Sequence, residues 1–200
     1  MFRFSPYPDA KVEKHLQVAA QLPPAPLRFL TISGYILADP PPIGFVRNTS
    51  QSQLGAGPQV WNAARKAMAS WIPFDLGWVS VRNAQAPIQL DELVAVEAHT
   101  LNLWSLNISR IVNVIDTSTQ FGFVYATTPL HVEDGEERFF LEFDPETGRV
   151  TYSIQAVSRP RSWLARLGYP VTRAYQHRFA RHSHQHLRGI INSANSSTID

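Results

Sequence analysis

Between residues 77 and 157 apolar and polar side chains alternate in six successive runs: "WVSVR", "ELVAVEA", "LNISRIVNVI", "FGFVYAT", "RFFLEF" and "RVTYSIQAV". A period of two puts every second side chain on one face of a strand. The connections are too short for parallel crossovers, which need a dozen or more residues, so the pattern is an antiparallel meander. Such a sheet has an apolar face that must be covered. Helical spacing appears on both sides of it. In "GAGPQVWNAARKAMASW", Gly57 can cap a helix and Pro58 suits its first position; Val60, Trp61, Ala64, Met68 and Trp71 form one apolar stripe, and Pro73 stops it. After the meander, Leu164, Leu167, Val171, Tyr175, Phe179, His182, His186 and Ile190 recur at threes and fours, with Pro170 expected to kink or divide that helix. "FVRNTSQSQ" and "LRFLTISGYILA" read as further strands. The expected fold is α+β: a curved antiparallel sheet of six to seven strands wrapped on a long C-terminal helix. Residues 1–43 read as a proline-rich lead-in with a possible strand, 44–190 as the domain, and 191–200 as a flexible tail.

The 200 residues are 44% apolar and 17% charged, enough for a core and unlike a disordered chain. The absence of cysteine excludes disulfides and thiolate metal sites. The first residues carry no long apolar run, and no stretch reaches the ~18 apolar residues of a spanning helix. A cytoplasmic location is expected. The net charge of +2 conceals an asymmetry: eleven of the sixteen acids lie in residues 91–146, while residues 158–190 hold seven arginines and no acid. That points either to an anionic partner or to a basic helix beside an acidic sheet.

The hairpin "FFLEFDPETGRVTYSIQAV" suggests a register. Pairing Phe143 with Gly148 puts Glu142 opposite Arg149 and gathers Phe139, Leu141 and Phe143 on one face with Val150, Tyr152, Ile154 and Ala156. Extended, it brings Glu133 opposite Ser158, with Arg159 alongside. Arg159 and Arg161 would then open the C-terminal helix, where the helix dipole opposes cations, and would seek the carboxylates of an acidic loop formed by Glu133, Asp134, Glu136 and Glu137. Catalysis by those carboxylates requires a raised pKa or a metal, and neighbouring arginines act the other way. His131 with two acids matches no metal-ligand spacing; His182 and His186 share a helix face but lack the glutamate of a His-Glu-x-x-His site. No metal and no cofactor are expected.

The segments "LGAGPQVWNAARKAMASW", "GFVYATTPLHVEDGEERF", "QAVSRPRSWLARLGYP" and "QHRFARHSHQHL" resemble, in order, the bacterial and plant family of domains of unknown function numbered nineteen-ninety, over about residues 50–188. His131, Glu133, Gly135, Glu136, Glu137, Ser158, Arg159 and Pro160 match its motifs, whereas Val124, Ala126, Thr128 and Leu130 depart from its Gly-Tyr-Gly-Thr-Leu-Pro-Gly-His run. The resemblance implies no settled activity. The order of elements is also similar to the START and Bet v 1-like helix-grip folds, an analogy of fold that implies a ligand cavity between sheet and helix.

On the register above, Phe121, Phe123, Tyr125, Phe139, Leu141, Phe143, Tyr152 and Ile154 face inward, joined by Tyr175, Phe179, His182 and His186, with Arg110 able to reach Tyr125. An aromatic lining with a few polar tips suits a small apolar ligand such as a lipid, isoprenoid or polyketide. The candidate ligand-binding residues are Tyr125, Tyr152, Phe139, Arg110 and His182. Two alternatives stay open: a cyclase-like acid/base enzyme using Tyr125, His131 or a loop carboxylate, and a structural module docking its basic helix on an anionic membrane or partner. Nucleic-acid-binding signatures, a serine elbow, a P-loop and a dinucleotide fingerprint are absent.

Overall fold

A computed structural model describes residues 2–23, 26–31, 40–161 and 169–196. The six runs of the meander form β3 (Val79–Val81), β4 (Leu93–Thr100), β5 (Leu103–Asp116), β6 (Gln120–Thr127), β7 (Glu133–Phe143) and β8 (Arg149–Pro160). Each pairs antiparallel with the next, and β2 (Val46–Ala56) closes the order β2-β8-β7-β6-β5-β4-β3. A two-residue β1 (Phe2–Arg3) adds to the free start of β5. This is the expected α+β architecture, a curved antiparallel sheet gripping one long C-terminal helix.

Helix α2 (Pro58–Ala69) begins as its sequence demands, with Gly57 as N-cap at φ 96° and Pro58 in the first turn. Its stripe of Val60, Trp61, Ala64 and Met68 is buried, and Trp71 follows in the left-handed region before the 3₁₀ turn Ile72–Phe74. The concave face of the sheet carries Phe123, Phe139, Leu141 and Tyr152, all buried. Their rings pack into one cluster: Trp71–Phe123 at 5.3 Å, Phe74–Phe139 at 4.8 Å and Phe123–Phe139 at 5.2 Å between centroids. Helix α3 (Tyr169–Ser196) covers them with Phe179, Leu187 and Ile191.

Several expectations are corrected. Residues 1–43 are not merely a lead-in: α1 (Asp9–Ala20) packs Val12 and Ala19 with Tyr7 on Ala95, Leu106 and Ile108 of the convex face. Prolines on both sides obscured its short stripe of Val12, Leu16 and Ala19. The strand expected at "LRFLTISGYILA" lies mostly outside the described residues, as do Leu164 and Leu167. The C-terminal helix follows a different stripe. Leu187 and Ile191 are buried with Ser183 and His184, whereas His182 and His186 are only partly buried and Ile190 is 41% exposed. The helix continues through Ser196 where a tail was expected, and Pro170 sits in its first turn, where a missing N–H costs nothing. Finally, β7–β8 is shifted two residues from the expected register: Phe143 pairs with Val150, Glu142 with Thr151 and Gly135 with Ser158. A shift of two preserves the faces but removes the Glu142–Arg149 pair. The cause is the turn, which Asp144 widens by accepting backbone N–H groups of Glu146 and Thr147 at 2.9 and 3.4 Å.

Candidate functional site

The acidic run is not a loop. Glu133–Glu137 is the first half of β7, so the strand's alternation splits its carboxylates between two faces. Asp134 and Glu136 point to the convex side; Glu133 and Glu137 point to the concave side with Phe139 and Leu141. One short stretch of sequence thereby makes two sites of different chemistry.

On the convex side the carboxylates are fully bonded. Glu136, 1% exposed, accepts the backbone N–H groups of Arg28, Phe29 and Leu30 at 2.5, 2.9 and 3.0 Å. Burial raises its pKa against the pull of these donors. Asp134 accepts from Arg28 at 2.8 Å and from Arg159 at 3.0 Å. Burial works to raise its pKa, but these two guanidinium groups prevail and hold it low. Arg159 thus meets the acidic run as expected, though for another reason: it belongs to β8, not to a helix terminus, and lies across the strand from Asp134. Arg161 donates to the carbonyl oxygens of Thr128, His131 and Glu133. This face is a clamp that fixes residues 28–30 to the sheet.

The concave side is electrostatically different. Glu137 receives the Tyr125 hydroxyl in a short hydrogen bond, and no arginine or lysine among the described residues forms an ion pair with it. Burial, reinforced by the nearby Glu133 charge against the Tyr125 hydrogen bond, raises its pKa to about 7. Burial and Glu137 together push the Tyr125 phenol well above its ordinary range. Glu133 is raised too, mainly by burial. His131 closes the same end. Its Nδ1 accepts the Glu133 N–H at 2.9 Å, which leaves the ring proton on Nε2, and burial with Arg161 nearby lowers its pKa to about 3. It is a neutral imidazole at physiological pH.

Gly135, between the two inward glutamates, leaves the floor of this cleft bare. A Cβ there would fall 2.3 Å from the Val157 carbonyl oxygen and 2.6 Å from Ser158 Cα, so only glycine allows β8 so near. Gln176 of α3 spans the cleft. Its Nε2 donates to both Glu133 oxygens at 2.8 and 2.9 Å and to Ser158 Oγ at 3.3 Å; its Oε1 accepts from Asn48 Nδ2 at 2.9 Å. On either side lies a cavity of about 30 Å³, room for a water or two. Glu137, Ala156 and Gln176 line both.

Of the residues expected to hold a ligand, Tyr125 lines this cleft. Phe139 and Tyr152 are core: Phe139 is enclosed by rings, and the Tyr152 hydroxyl meets Ser183 Oγ at 3.0 Å. His182 accepts from Trp78 Nε1 at 3.3 Å, away from the cleft. Arg110 is corrected outright. It lies on the convex face, and its guanidinium donates to Ala19 and Leu22 carbonyl oxygens at the end of α1, a favourable place for a cation. A bulge at Ile111/Asn113 in β5 accompanies this arrangement, with Ile111 rather than Arg110 paired to Tyr125. Among the motif residues, His131, Glu133, Glu137 and Ser158 share the cleft, whereas Asp134 and Arg159 form the opposite clamp with Glu136. Sequence reasoning missed Gln176 and Asn48, polar residues whose roles depend on elements 128 positions apart. It also missed His184, whose two ring nitrogens lie 2.9 and 2.8 Å from Ser50 and Ser52 Oγ. Among the described residues no group of three or more His, Cys, Asp or Glu is placed to hold a metal, and no helix is long and apolar enough to cross a membrane.

A family profile described as Domain of unknown function (DUF1990) matches residues 32–186. A UPF0548 protein of Dictyostelium discoideum is 35% identical over 169 residues, covering 78% of each chain. The crystal structure of TTHA0849 from Thermus thermophilus superposes with a TM-score of 0.50 at 12% identity, over 74% of this chain and 99% of that one, a likeness of fold. The structure of Ara h 8.0201 gives a TM-score of 0.48 at 13% identity, over 75% and 99%.

Proposed function

We propose, for a chain that belongs to the family described as Domain of unknown function (DUF1990), that the cleft between β7, β8 and α3 is a small-molecule site in which Glu137 exchanges a proton with its ligand. The observation that carries this reading is the Glu137–Tyr125 pair: a partly buried carboxyl facing a cleft, with a phenol as partner and no ion pair among the described residues. A carboxyl whose pKa lies near 7 is populated in both forms at neutral pH, the condition for general acid and general base work. Neutral His131 supplies an Nε2–H donor, and the Tyr125 hydroxyl, whose proton goes to Glu137, offers its oxygen as an acceptor. The cavities of about 30 Å³ favour a compact polar ligand, since pockets for drug-sized molecules measure ~300 Å³ or more.

Carbon-13 NMR of the glutamate carboxyls tests this directly. Glu137 is expected to titrate near neutrality in the folded protein, and at least one class of compact polar compound should move its midpoint. A midpoint near 4.5 would remove the reading. A second reading, a larger apolar ligand held against the aromatic concave face, is favoured by the ring cluster around Phe123 and Phe139. It requires α3 to move off the sheet. Native mass spectrometry of protein purified from its own host decides it: a retained lipid, isoprenoid or polyketide supports it, and empty protein that no lipid stabilises ends it.

A further inference from the structure

Gln176 is unusual in that both ends of its amide are read by groups of fixed polarity. Arg173, which only donates, bonds Asn48 Oδ1 at 3.0 Å, so Asn48 Nδ2 must face Gln176. At the other end the Glu133 carboxylate accepts only. The relay therefore runs Arg173 to Asn48 to Gln176 to Glu133, and the amide has one orientation. Its acceptor meets a donor on β2, and its NH₂ meets an acceptor on β7 and the Ser158 hydroxyl on β8. These three sheet positions form a complete receptor for a planar –CO–NH₂ group. The group that fills it arrives from the helix, on a side chain with three rotatable bonds. It also separates the two small cavities, both of which reach Glu137.

We infer that the Gln176 amide is an internal occupant of a ligand subsite, and that the cleft takes a compact primary carboxamide. This rests on the small-molecule reading of the cleft and specifies its ligand. When Gln176 swings out, the two cavities join into one channel floored by Ala156 and flanked by Glu137. The vacated partners keep their chemistry: Glu133 requires an NH₂, the Ser158 hydroxyl can accept from that same NH₂, and Asn48 requires a carbonyl oxygen. A carboxylate fails at Glu133 by repulsion, and an N,N-dialkyl amide fails there for lack of a donor. A primary amide satisfies all three, with its remaining atoms directed along the channel toward Glu137.

The test uses the full ¹⁵N-labelled chain, with propionamide as probe and N,N-dimethylpropionamide and propionate as controls. The Gln176 side-chain NH₂ resonances are assigned by their loss in Gln176→Ala. Propionamide is expected to shift them saturably toward the position of a free amide and to perturb Gly135 and Ser158, while the controls do neither. Gln176→Ala, which lacks the internal competitor, should bind propionamide at least ~10-fold more tightly than the wild type. Equal binding of propionamide and its dimethyl analogue, or equal affinity in wild type and variant, overturns the inference. If the variant does not fold, the wild-type displacement decides alone, and the absence of a saturable shift is refutation. Propanol and propylamine separate the two levels of the argument. Shifts at Tyr125 and Glu137 with either of these but not with propionamide would end the carboxamide assignment and keep the cleft. No shift with any probe would end both.

Discussion

Replacing Glu137 with Gln isolates the most consequential electrostatic feature of the cleft. Gln is isosteric and its carbonyl oxygen still accepts the Tyr125 hydroxyl, so the substitution removes the titration and little else. In the folded protein the Glu137 pKa rises from 4.5 to about 7. A carboxyl raised on folding holds its proton more tightly in the native state than in the unfolded chain, so stability falls as pH climbs between those two values. The rise corresponds to about 3 kcal/mol. Below pH 4.5 wild type and variant should have nearly equal stability. By about pH 8 the variant should be the more stable by about 3 kcal/mol, or about 6–12 °C in Tm for a chain of this length. Urea denaturation from about pH 4 to about pH 8 reads the difference directly, since every other titrating group contributes to both curves. Parallel curves, separated by less than ~0.5 kcal/mol throughout, would show that Glu137 titrates as an ordinary glutamate and would refute the argument.

The clamp on the convex face should be stiffer than any surface ion pair. Glu136→Gln leaves one of its three buried N–H donors facing an NH₂ and is expected to cost about 3 kcal/mol; hydrogen exchange at Phe29 and Leu30 should accelerate, and unchanged protection would disprove the clamp. Arg159→Ala, which removes one partner of Asp134, should cost about 1 kcal/mol, more than Arg188→Ala, as equilibrium unfolding would record. His184→Ala should lose about 2 kcal/mol at neutral pH with its bonds to Ser50 and Ser52. Because burial and Arg188 lower the His184 pKa from 6.5 to about 4, the wild type sheds that histidine's stabilisation as pH falls through this window, so the gap between the two proteins should narrow at about pH 5. Gly135→Ala forces β7 and β8 apart and should destabilise by several kcal/mol, whereas Gly189→Ala, in open space on α3, should be neutral or stabilise by up to ~1 kcal/mol; melting temperatures distinguish them.

Everything that depends on local periodicity was legible in the chain before it folds. The six alternating runs specify six paired strands, and Gly57-Pro58 with its apolar stripe specifies α2, because strand pleat and helix pitch set which side chains share a face whatever packs against them. The inward set on β7 and β8 was legible for the same reason, and it survived a two-residue error in register since faces repeat every second residue. The site was not legible in this way. "EDGEE" reads as a single acidic loop beside Arg159 and Arg161 because charges in a run look alike, and only the extension of β7 to Glu133 assigns Glu136 to three backbone donors and Glu137 to a phenol. Whether a glutamate is a permanent ion or a proton carrier depends on which neighbours arrive from elsewhere: Arg28 at one face, Tyr125 and Gln176 at the other. The same holds for α3, where periodicity allowed two adjacent stripes and the burial of Leu187 and Ile191 chose between them. Pleat and pitch are properties of a segment. Desolvation and hydrogen-bond partnership arise only when distant segments close around a group, and the chemistry of this cleft is made of those.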